Sequence, residues 1–78
     1  MQNNRTIVDA MFHSAEELKQ NKEYEKAIEV YNEVLKAEQF EEAFSSKCLL
    51  SISLCYGCLN NEEQCKEYLM RWRNKHKN

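Results

Sequence analysis

The chain predicts an all-α fold, and three observations carry that expectation. One glycine and no proline in 78 residues leave almost nothing suited to tight hairpin turns, which weighs against an all-β fold. An apolar share of 42% beside 31% charged residues is the composition of a globular chain, not a disordered one. Apolar residues also recur at helical spacing along most of the length. A chain of 78 residues holds one domain near the lower size limit for an independent core. Residues 1–78 are therefore expected to form a single domain of two helical hairpins, at about 6–38 and 41–76.

The first helix is expected over about Thr6 to Gln20, where Ile7, Val8, Met11, Ala15 and Leu18 share one face. Asn21-Lys22 forms the joint. The second, about Glu23 to Glu38, stacks Tyr24, Ala27, Ile28, Tyr31, Val34 and Leu35 on one side. Its other side leaves Glu25, Glu29, Glu33 and Lys36 in water, an amphipathic pattern. The third runs from about Glu41 to Leu59 and is broken by Asn60-Asn61. Asn61 suits the cap of a fourth helix, with Glu62 and Glu63 in its positive first turn. That helix is expected to bury Cys65, Tyr68, Leu69 and Trp72.

Short joints make neighbouring helices antiparallel, and the two hairpins share a pattern. The first reads Ala15-x-x-Leu18, then Tyr24-x-x-Ala27-Ile28-x-x-Tyr31-x-x-Val34-Leu35. The second reads Ser53-x-x-Tyr56-x-x-Leu59, then Cys65-x-x-x-Leu69-x-x-Trp72. These residues resemble the tetratricopeptide repeat, with Cys65 at the usual Ala and Leu69 at the usual aromatic. Ala27 and Cys65 lie 38 positions apart, about one helical turn beyond the usual period near 34. A longer third helix is the simplest way to place the added residues.

The resemblance implies two hairpins stacked as a right-handed array, with no chemistry of its own and a groove that binds peptides or proteins. It implies that Asp9, Phe12, Glu16 and Lys19 line the groove from one hairpin, and Leu50, Leu54 and Cys58 from the other. Where relatives hold acidic C-terminal tails they use Lys, Arg and Asn. Phe12, Glu16, Leu50 and Leu54 stand there instead, which suits an apolar or basic peptide or a partner helix.

The third helix supports a contact surface without the family. Its main stripe is Phe44, Cys48, Leu49, Ile52, Cys55, Tyr56 and Leu59, while Leu50, Leu54 and Cys58 form a second at i, i+4, i+8. Either another part of the bundle covers that second stripe, or a partner or second copy does. Trp72 either caps the array by folding onto Ile52 or Tyr56, or docks against a second subunit as a homodimer contact.

Cys48, Cys55, Cys58 and Cys65 invite a metal or redox reading. Cys48, Cys55 and Cys65 fall at small-residue core positions, where a free Cys acts as a small hydrophobe. Cys58 points about 60° away from Cys55 on an ideal helix, so no zinc site and no cofactor are expected. Cys58 alone is expected to be exposed and oxidisable. His13 and His76 lack sequence neighbours for nucleophilic chemistry, no glycine-rich phosphate loop is present, and the Glu residues lie on exposed faces. The chain is expected not to be an enzyme.

A net charge of -2 argues against electrostatic nucleic-acid binding. The basic end, Arg71, Arg73, Lys75, His76 and Lys77, complements a helix C-terminus without any ligand. No stretch is apolar enough to cross a bilayer, and Asp9 interrupts the first apolar run. The expectation is a small cytoplasmic protein-interaction module or adaptor. The alternative is a regulator that binds nucleic acid through its basic last helix.

Overall fold

The computed structural model describes residues 4–37 and 42–76, with side chains over 7–37 and 45–75. It contains α1 (Asn4–Gln20), α2 (Tyr24–Ala37), α3 (Glu42–Cys58) and α4 (Glu62–His76), and no strand among the described residues. The expected ends at Glu38 and Glu41, the side chains of Phe44 and His76, and Lys77 lie outside what is described. Each helix packs on the next, and α1 meets α3 only along a narrow edge. The two antiparallel hairpins are thus stacked through α2 and α3.

Both hairpins turn in the same way. Lys22 takes a left-handed backbone (φ 66°), as does Asn60 (φ 62°). In the first turn the Glu23 amide bonds the Leu18 carbonyl at 2.9 Å and the Lys22 amide bonds Lys19 at 3.0 Å. In the second, Asn61 bonds Tyr56 at 2.9 Å and Asn60 bonds Gly57 at 3.1 Å. This is the paired C-terminal motif that satisfies the last carbonyls of a helix. Each bond recurs 38 positions later, the difference between Lys22 and Asn60. The next helix then opens identically, Ala27 to Glu23 and Cys65 to Asn61, both at 3.0 Å. Asn61 is the expected cap: its Oδ1 accepts the Gln64 amide at 3.2 Å. Within the described residues α3 has 17 residues, as α1 has.

The core draws on three helices: Val8, Phe12 and Ala15 from α1, Ala27, Ile28, Tyr31 and Val34 from α2, and Cys48, Ile52 and Cys55 from α3. Ala15 and Ala27 are fully buried, and their small side chains let the first two backbones approach. The second hairpin places Ser53 and Cys65 at those positions. There the buried Ser53 hydroxyl donates to the Cys65 carbonyl at 2.9 Å, so its polarity is satisfied. Tyr68 of α4 stacks on Tyr56 of α3, centroids 5.7 Å apart at 27°.

Three residues expected in the core are open instead. Ile7 is exposed because it matches Ser45 of α3, buried in that helix, and no described element packs on that side of α1. Leu59 lies beyond the last residue of α3, in the turn. Leu69 matches Tyr31 but has no following helix against it among the described residues.

The antiparallel pairing of α1 and α2 makes one substitution decisive. Ala27→Glu buries a carboxylate between helices, at a cost of several kcal/mol. We expect loss of the cooperative melt and of helical circular dichroism; a folded, cooperatively melting variant contradicts the pairing.

Candidate protein-binding site

Tyr31, projecting from α2, fills the seam where α1 and α3 meet. Its side chain is fully buried. The ring meets Phe12 of α1 edge-on, centroids 5.9 Å apart at 63°, a favoured aromatic geometry. Its hydroxyl donates to Glu16 Oε2 at 2.8 Å and is also bonded by the Ser51 side chain of α3. One phenol therefore joins three helices. Burial raises its pKa, the Ser51 bond lowers it, and the bond to Glu16 raises it again; the net direction is upward.

Around this link lies a small charged and thiol cluster. Lys19 Nζ stands 3.8 Å from Glu16 Oε1. Burial pushes the Cys55 thiol up to about 11, against an opposing pull from Lys19 and with added repulsion from Cys58 and Glu16. At the near end of α2, a hydrogen bond with Cys58, then burial, push the Tyr24 phenol upward. Cys48 and Cys55 are buried, Cys65 is half-buried and Cys58 is exposed. Among the described residues no three His, Cys, Asp or Glu side chains converge on one point.

The structure divides the expected groove residues. Leu50 is half-buried, Leu54 is 54% exposed and Cys58 is exposed, one stripe along α3. Phe12 does not lie open beside them. It is only 9% exposed, because its ring is packed on Tyr31 and stands edge-on to His13 at 6.3 Å. Glu16 is half-buried and spends one oxygen on Tyr31, so it braces the seam. Asp9 and Lys19 are half-buried on α1.

Trp72 is half-buried near the end of α4, and the ring stacked on Tyr56 is that of Tyr68. Arg71 lies 4.8 Å over the Tyr68 ring and bonds Glu67 at 3.2 Å, so one cation of the basic end is engaged within its own helix. A separate depression of about 480 Å³ runs between α2 and the α3–α4 joint, with Glu25, Glu29, Ile28, Tyr56 and Leu59 in its lining. Sequence reasoning missed it by assigning Leu59 to the core. It also missed the Tyr31–Ser51 bond, for which only a serine inside an apolar run gave a signal.

The tetratricopeptide repeat family model matches residues 8–44, from α1 through α2 into α3. The chain carries a tetratricopeptide repeat. No curated protein and no solved structure matches the chain significantly. The matched stretch contains the whole first hairpin core and Tyr31, and the second hairpin repeats the paired backbone bonds of its turn. Such repeats generally mediate protein–protein interaction. No described helix is long and apolar enough to cross a membrane.

Two measurements test the seam. Tyr31→Phe keeps the ring but leaves Ser51, itself buried, and Glu16 without their shared partner. Urea melts should show a loss of about 1–2 kcal/mol; an unchanged midpoint contradicts the role given to the hydroxyl. The second is pH. The Cys55 thiol is raised from 9.0 to about 11, so the unfolded chain releases that proton first as pH rises. Stability should be flat below pH 9 and fall between pH 9 and 11, with Cys55→Ala flattening part of the slope.

Proposed function

We propose that this chain is a non-catalytic protein-interaction module of the cytoplasm, an adaptor that holds a peptide or partner helix against α3. Leu50, Leu54 and Cys58 supply the contact surface, with Glu16 and Lys19 at its edge. The observation that carries the reading is Leu54. It is 54% exposed in the middle of a helix whose other sides are held by α2 and α4. An open leucine beside a half-buried one has apolar area to lose on binding, worth about 25 cal/mol per Å². Glu16 is tied to Tyr31 and lies beside Lys19, so the selective feature is the open leucine stripe, which favours a ligand with an apolar helical face in the helix-in-groove manner. Exposed thiol Cys58 at the end of the stripe suits the same apolar contact.

A peptide array spanning apolar, basic and acidic sequences tests this directly. Peptides with an apolar helical face should bind and peptides without one should not. Leu54→Glu should abolish that binding while its thermal melt stays within a few degrees of the parent. Unfolding of the variant shows Leu54 to be core, and unaltered binding moves the site elsewhere.

A further inference from the structure

The depression beside the α3–α4 joint holds the parts of an arginine site that the chain fills elsewhere. On α4, Arg71 lies 4.8 Å over the Tyr68 ring and bonds Glu67 at 3.2 Å. An aromatic face and a carboxylate are the two partners that a flat, fixed set of donors suits best. Tyr68 is stacked on Tyr56, and Tyr56 lines the depression together with Glu25 and Glu29 of α2. Ring and carboxylate thus recur one step along the stack, and no described Lys or Arg is in the lining.

Both carboxylates are exposed, and neither forms an ion pair among the described residues. Their acidic neighbours are spent: Glu23 pairs with Lys26 at 3.2 Å and Glu33 with Lys36 at 3.7 Å. Three further cations bear on the site. Lys26 and Arg71 are held by Glu23 and Glu67, while Lys22 lines an adjoining depression that Glu25 also borders. Glu29 lies one turn beyond Glu25 and is the less compensated of the two. Like charges four positions apart repel on a helix, so a cation shared between them gains from both. The floor is apolar, with Ile28 and the 37% exposed Leu59 available to a hydrocarbon stem. Tyr56 stands two positions from both Leu54 and Cys58, about 200° round the helix, so this is not the side of the α3 stripe.

We propose that this depression docks an arginine of a partner protein, its guanidinium against Glu25, Glu29 and the Tyr56 ring, its stem on Ile28 and Leu59. Charge complementarity selects that occupant. An apolar side chain leaves the two carboxylates repelling each other, and an acidic one adds a third. A lysine brings the charge without the planar donors that stack and bridge.

A nuclear magnetic resonance titration of the whole, isotope-labelled chain reads the proposal. The probe is a short blocked peptide with one arginine between alanines, compared with its citrulline and lysine analogues. Saturable shifts are expected at Glu25, Ile28, Glu29 and Leu59, with a Kd on the order of 1 mM. Citrulline keeps the shape without the charge and should bind roughly fivefold to tenfold more weakly. Lysine should fall between them. Glu29→Gln should weaken the arginine peptide about threefold to fivefold, and Glu25→Gln should weaken it less. Both positions are exposed, so the variants should stay folded. Glu63→Gln, at an exposed acid of α4, controls for general attraction and should leave binding unchanged. Citrulline or lysine peptides that bind as tightly as the arginine peptide overturn the proposal. So does affinity that Glu29→Gln leaves unaltered, or that Glu63→Gln lowers equally. Shifts centred on Leu50, Leu54 and Cys58, or no saturable shift at all, overturn it as well.

Discussion

The Tyr31 phenol is the constraint on which the first repeat and its junction with the second both depend. Its ring spends Phe12, its hydroxyl spends Glu16 and Ser51, and its buried position lies where α1, α2 and α3 come together. A tyrosine whose hydroxyl is buried must find partners, since an unsatisfied hydroxyl costs more than a made bond gains. Both partners it finds lie on helices other than its own. Shape and polarity therefore fix the same junction. The consequence for function is a division of labour. The α1 side of the seam is consumed by the fold, and the open apolar surface is shifted onto α3.

The repeat is more regular in its backbone than in its side chains. Lys22 and Asn60 take the same left-handed conformation, and the turn bonds match at an offset of 38. Asn accepts that conformation readily and Lys does not, yet both positions adopt it, so the paired carbonyl bonds and not the residue type set the turn. Conversely Ala27 and Cys65 are equivalent positions with unequal burial, 0% against half-buried. α2 is held on both sides, α4 on one.

Much of this was legible in the sequence. Helical spacing, the joints at Asn21-Lys22 and Asn60-Asn61, and an Asn61 cap are local signals, and local chemistry decides them. The family resemblance at Ala15 to Leu35 was legible for the same reason: small residues at a crossing point have no other purpose there. What the sequence did not reveal depends on which neighbours exist. Ile7, Leu59 and Leu69 have the period of core residues, but period says only that a face is apolar and not that another helix covers it. Phe12 failed in the opposite direction. Its position belongs to a groove-lining set, and only the reach of Tyr31, nineteen positions later, takes it into the interior.

The exposed leucines follow from the same logic. Positions 54 and 69 stand in the second hairpin where Glu16 and Tyr31 stand in the first, at the offset shared by the turn bonds. In the first hairpin that pair is polar and joined by a 2.8 Å bond that ties the seam. In the second it is leucine and leucine, exposed at 54% and 37%. With no phenol to satisfy at position 69, nothing within the fold requires a carboxylate at position 54. Single exposed leucines are common on protein surfaces, so it is the matched positions and not the exposure alone that distinguish these two. Two leucines at these matched positions instead place apolar surface in water without a return inside the chain. The proposed contact surface draws on this area, since neither leucine carries an internal bond of the kind that ties Glu16 to Tyr31.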